Sequence, residues 1–135
     1  MQRKEADALI KMSADEWMST SDWVAAQLRL SLQLLAMDAQ DQIDHFLPGS
    51  DIISELITDY KHFAESIFTY WDLTDNQIDR LQALQDFFRM LDNENTNDLW
   101  TLEALISDYR WNEVRRLAKQ ALLSFQWALE TPPPE

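Results

Sequence analysis

The side chains best equipped for chemistry are two histidines, each set near carboxylates. Asp59 and His62 are three residues apart and Asp41 and His45 four apart, spacings that put both members of a pair on one face of a helix. Di-iron bundles use a Glu-x-x-His pair from each of two helices and a Glu from each of two others, all projecting inward. Here Asp replaces Glu, only one pair has the three-residue spacing, and the line Glu55–Asp59–His62 lies opposite the apolar face of its helix. These residues are therefore expected in solvent, and no metal ligand or cofactor is assigned. Nucleophilic chemistry has even less to work with. With no cysteine in the chain, thiolate zinc sites, iron–sulfur clusters, disulfides and cysteine nucleophiles are excluded. Its one glycine, Gly49, leaves no glycine-rich phosphate loop, dinucleotide fingerprint or G-x-S-x-G elbow. Paired carboxylates for glycoside chemistry need a cleft, and no clustered E-x-x-E pattern suggests a nucleotide hydrolase. No catalytic residue is assigned and the chain is not expected to be an enzyme. A metal-dependent carboxylate enzyme is kept as an alternative, open to metal analysis of protein purified without chelators.

What the carboxylates do instead follows from their number and placement. The chain has 24 acidic and 11 basic residues, a net charge of −13, against the ~2–8 units that suffice for solubility. Residues 21–98 hold 15 of the acids and 4 of the bases, hence −11 of that total. A field of this kind repels itself in a compact molecule and complements a basic partner, whose encounter it accelerates. The expected partner is a protein with a basic site. Nucleic acid and anionic membrane are disfavoured as direct partners by the same sign of charge. The carboxylates expected to meet it are Asp38, Asp41, Glu55, Asp59, Asp72, Asp75, Asp79 and Glu94, gathered into a single patch, with Trp100 as an aromatic anchor of the kind enriched at interface hot spots. Trp17 and Trp100 are the tryptophans expected to be exposed, Trp23 and Trp71 those expected in the core. The one basic cluster, Arg110, Arg115, Arg116 and Lys119, is expected to be solvated or paired with acids, with Arg115 and Lys119 sharing an exposed face.

Helices must position all of these groups. Apolar residues at Val24, Leu28, Leu32, Leu35, Ala39, Ile43 and Phe46 recur at three- and four-residue spacing, which predicts one helix from Thr20 or Ser21 to about Phe46. A second stripe of Trp23, Leu30, Leu34 and Met37 makes it central, or leaves enough apolar surface to bind a second copy of the chain. Leu47-Pro48-Gly49-Ser50 stops it, with Ser50 expected to cap a helix over 51–71 whose apolar face is Ile53, Leu56, Ile57, Tyr60, Phe63, Ala64, Ile67, Phe68 and Trp71. Thr74 and Gln77 form a capping box for a third helix carrying Ile78, Leu81, Leu84, Phe88 and Leu91. The polar run 92–98 is a loop, a short helix covers about 102–106, and Asp108 caps a last helix with Val114, Leu117, Ala118, Ala121, Leu122, Phe125, Ala128 and Leu129 facing inward. The prolines of 132–134 end it. Ser13 and Glu16 suggest a further short helix bearing Trp17.

The predicted fold is all-α, a bundle of four main antiparallel helices plus one or two short ones, in a single domain over residues 1–135. Residues 1–12 are expected to be a loosely ordered lead and 131–135 a proline-rich tail. The N-terminus has no apolar h-region, and the stretch 23–37 is interrupted by Gln27, Arg29, Ser31 and Gln33, so a cytoplasmic location without a membrane span is expected.

The C-terminal segment adds a resemblance. Trp100-Thr101-Leu102-Glu103-Ala104-Leu105, followed by Asp108-Tyr109-Arg110-Trp111-Asn112-Glu113-Val114-Arg115-Arg116-Leu117-Ala118-Lys119, resembles the ending of small helical bacterial proteins of the immunity type. The resemblance implies a cytoplasmic inhibitor that neutralises a toxin, often a nuclease. It transfers no functional residue, since such proteins diverge at their binding faces. A self-associating structural or regulatory module, with a homodimer as the assembly, is the alternative from a different class.

Overall fold

Apolar spacing and local caps account for most of the helix boundaries. A computed structural model describes residues 20–46, 51–93 and 99–129. They contain six helices and no strand: α1 (Thr20–Ala36), α2 (Ala39–His45), α3 (Ile52–Tyr70), α4 (Asp75–Asn93), α5 (Leu102–Ser107) and α6 (Tyr109–Ser124). The expectations for the 1–12 lead, Ser13–Glu16, Trp17, the 47–50 stop, Glu94 and the rest of the 94–98 loop, and the 131–135 tail lie outside the described residues, while Asp92 and Asn93 belong to α4 and not to that loop.

The Thr74 box forms as expected. The Thr74 amide donates to Gln77 Oε1 (2.9 Å) and the Gln77 amide to Thr74 Oγ1 (3.1 Å), so each satisfies a backbone donor of the first turn. Asp108 caps α6 by accepting from the Arg110 amide at 2.9 Å, and Thr101 caps α5 by accepting from the Ala104 amide at 3.1 Å. At α3 the cap is Asp51, whose carboxylate accepts from the Ser54 amide, and not Ser50 as the sequence suggested. Both are good capping types, and type alone does not choose between adjacent ones.

Two predicted helices are cut. The one expected over 20–46 breaks at Met37–Asp38, where Asp38 is extended (φ −61°, ψ 155°). Beyond the break Gln42 is fully buried and turns back, donating from Nε2 to the carbonyls of Leu34 (3.0 Å) and Leu35 (3.2 Å). It thereby satisfies carbonyls in the last turn of α1 that lack an intrahelical partner. The last helix ends at Ser124, several residues before the prolines. Gln126 has φ 61°, its amide donates to Leu123 O, and the Trp127 amide donates to Leu122 O, both at 3.0 Å. This is a Schellman closure with glutamine in the left-handed position usually filled by glycine. Ala128 and Leu129 consequently lie at the surface rather than inside.

Leu28, Leu32 and Leu35 of α1, Leu56, Tyr60 and Ile67 of α3, Leu81, Leu84 and Phe88 of α4, and Val114, Ala118 and Leu122 of α6 meet in one core. Gln77 reaches the Ser124 carbonyl and Arg80 reaches Gln120, so α4 and α6 run in opposite directions. Met37 beside Arg115, and Gln33 beside Ala128, give the same relation for α1 and α6. Tyr60 spans from α3 to α4, donating its hydroxyl to Leu81 O at 3.0 Å. Burial pushes its phenol well above the ordinary range, so the group remains a donor. Among the described residues no buried side-chain polar atom lacks a partner.

Candidate protein-binding surface

Connectivity sorts the charged side chains into two poles. The ends of α1 and α4, the starts of α3 and α6, and helices α2 and α5 form the first pole. There Arg115 meets Met37 and Leu105, and Trp111 meets Leu99 and Trp100. The start of α1, the end of α3, the start of α4 and the end of α6 form the second pole, where Trp71, Phe125 and Trp127 cluster.

Asp38 and Asp41 lie at the first pole, with Glu55 and then Asp59 running along α3 away from it. Asp72, Asp75 and Asp79 lie at the second. All seven are exposed. The expected single patch is therefore divided by the length of the bundle. Sequence spacing on separate helices could not reveal this, because the α3–α4 turn carries Asp72 and Asp75 to the opposite end from Asp38. The first pole also contains carboxylates that spacing did not single out. Asp44 joins Asp38, Asp41, His45 and Lys119 around a cleft of about 600 Å³ floored by Ala36 and Met37, while Asp51 and Asp92 face a smaller groove beside Trp100. Knowing that α2 bends away from α1 and that α4 ends beside α3 would have been needed to find them.

The cations of α6 leave this acidity largely standing. Arg110 binds Asp108 through Nε (2.9 Å) and a terminal nitrogen (2.7 Å). That hydrogen bonding holds the Asp108 carboxyl down at about 2, against its partial burial. Arg116 grips Glu113 of the same helix in the same way, with Nε at 2.8 Å, and lowers its pKa.

Arg115 corrects the sequence expectation: it is buried, 7% exposed, and does not share an exposed face with Lys119. Its guanidinium donates to Met37 O, Asn112 Oδ1 and Gln42 Oε1 at 2.9 Å each, and to Leu105 O at 2.6 Å. Leu105 belongs to the last turn of α5 and Met37 follows that of α1, so the charge faces the negative ends of two helix dipoles. Burial lowers its pKa, and the field of Asp38 partly opposes this. Asp38 has no ion pair of its own, nor do Asp41, Glu55, Asp59, Asp72, Asp75 or Asp79 among the described residues.

The aromatic expectations are partly reversed. Trp23 is 39% exposed, edge-on to Phe63, because residues 24, 28, 32 and 35 already fill the inner face of α1. Trp71 is half-buried, and Phe68 is exposed despite its apolar spacing. Trp100, expected in solvent, is half-buried edge-on to Trp111 at 6.2 Å. Trp111 is the innermost tryptophan among the described residues, its indole N–H bonded to Leu99 O at 3.0 Å. Glu55, Asp59 and His62 face solvent as expected. No three His, Asp or Glu side chains converge to hold a metal ion among the described residues, and no helix there is long and apolar enough to cross a membrane.

No protein-family model matches the chain, and no curated protein or solved structure is significantly similar to it.

Proposed function

We propose that the protein binds and blocks a basic site on another protein, in the manner of a toxin-neutralising immunity protein or nuclease inhibitor, through the first pole of its bundle. The observation that carries this is the set of exposed carboxylates around α2 and the start of α3, Asp38, Asp41, Asp44 and Glu55, none of them ion-paired among the described residues. Three arginines of α6 are held by its capping Asp108, by Glu113 or by buried acceptors. Fixed, unneutralised charge on one surface speeds encounter with an oppositely charged partner and rejects wrong ones. The proposed role is binding, with no catalytic step, in the cytoplasm. Reversing Asp38, Asp41, Glu55 and Asp59 together should slow association with the partner, and the wild-type rate should fall steeply with salt. A salt-independent rate, unchanged by the reversal, would overturn the proposal.

A self-associating module is the second reading, favoured by Trp23 and Leu30, exposed at 39% and 37% and seven residues apart on α1. Sedimentation showing a tight dimer that Trp23→Lys dissociates would support it over the first.

A further inference from the structure

At the first pole a groove of about 280 Å³ runs between the start of α3 and the end of α4. Ile53 and Ile57 give it an apolar lining, Trp100 an aromatic one, and Asp51 and Asp92 contribute carboxylates. Asp51 uses Oδ1 to cap α3. Among the described residues Asp92 has only a loose, half-exposed contact with Lys61 at 3.7 Å, a kind of pair that contributes little. Both carboxylates can therefore receive a further cation.

We infer that this groove takes an arginine side chain of the basic partner, an inference that rests on the function proposed above. An apolar stem ending in a charge matches the lining, because long basic side chains lay their methylenes on apolar surface and keep the head at the polar edge. Arginine fits better than lysine: its planar guanidinium stacks on aromatic rings and offers a fork of donors to carboxylates. A neutral occupant would gain no attraction from Asp51 and Asp92, and an acidic one would be repelled by them. Trp100 thus anchors from the receiving side, as the wall of a pocket rather than a projecting side chain.

Titration of the isotope-labelled full chain with tetra-arginine amide tests the site without the partner. Shifts should concentrate at the Trp100 indole N–H and the amides of 53–58. Asp92→Asn and Trp100→Leu should each weaken binding about threefold, the size of an exposed cation–π or ion contact. The triple change Asp72→Asn, Asp75→Asn, Asp79→Asn should weaken it less, although it removes more charge. Tetra-lysine amide should bind more weakly, with smaller shifts at Trp100. Shifts centred on α2 or on the second pole, equal binding of the two peptides, or indifference to Asp92→Asn would overturn the inference. Asp92 is exposed, so its variant keeps the test valid if Trp100→Leu fails to fold. A partner whose association depends on salt but not on Asp92 or Trp100 removes this groove and leaves the proposed function standing. Arginine bound here by a protein whose partner associates without salt dependence would do the reverse.

Discussion

Arg115 shows how one side chain can organise a corner of a helical protein. It satisfies acceptors from the end of α1, from α2 and from α5 while standing on α6. Nothing in its sequence context separates it from Arg116 beside it, which is exposed and paired within its own helix. The difference is rotational position: Arg115 follows Trp111 by four residues and Val114 by one, on the inward side, and three-dimensional neighbours decide the rest. Arg115→Met should cost about 2–4 kcal/mol, because it leaves buried carbonyls and the Gln42 amide oxygen without donors. Urea denaturation measures that loss, and faster amide exchange across α2 should accompany it. Tyr60→Phe should cost about 1 kcal/mol, the net value of one hydrogen bond, with the core otherwise filled. Asp108 sets a pH dependence. Its folded pKa of about 2 lies below its ordinary 3.8, so its contribution is complete above about pH 4 and is lost as pH falls through 2. Glu113 and Asp86 are lowered in the same direction, chiefly by hydrogen bonds from Arg116 and Gln82 respectively. Arg110→Met should return the Asp108 carboxyl toward its ordinary value in a carbon-detected titration and raise the pH at which acid unfolding begins.

At the scale of elements, the all-α class and the apolar faces of α3, α4 and most of α6 were legible because three- and four-residue spacing reports burial directly. The Thr74–Gln77 box and the Asp108 cap were legible because they are short-range hydrogen-bond patterns. The break between α1 and α2 was not: Leu35, Ala39, Ile43 and Phe46 keep helical spacing across it, and the bonds that close α1 come from Gln42 and from Arg115, 78 residues from Met37. Nor was the end of α6, where proline was a visible stop but Gln126 reverses the chain first. Gln126→Gly should stabilise the protein by about 1 kcal/mol, since a residue with a side chain is disfavoured in the left-handed region. A rise in the thermal midpoint without change in helix content checks it. The candidate surface was legible in residue type and exposure but not in grouping. Asp38 and Asp72 are both exposed aspartates, and only the path of α3 separates them.

On the scale of the whole molecule, the two poles differ in what they offer. The first combines α2, the start of α3 and the groove lined by Ile57, Asp92 and Trp100. The second carries Asp72, Asp75 and Asp79 beside a packed cluster of Trp71, Phe125 and Trp127. Charge reversal confined to the first pole should therefore reduce the association rate more than reversal of an equal number of carboxylates at the second, which stopped-flow measurements at low salt can compare.

The tryptophans supply the means to watch this happen. Trp100 stands edge-on to Trp111 at one extremity, whereas Trp127 lies 6.3 Å from Trp71 at the other. Among the described residues these indole couples stand the length of the helices apart, and each is expected to give its own near-ultraviolet signal. A ligand seated on the acidic extremity should alter the signal of one couple and leave the other as an internal standard.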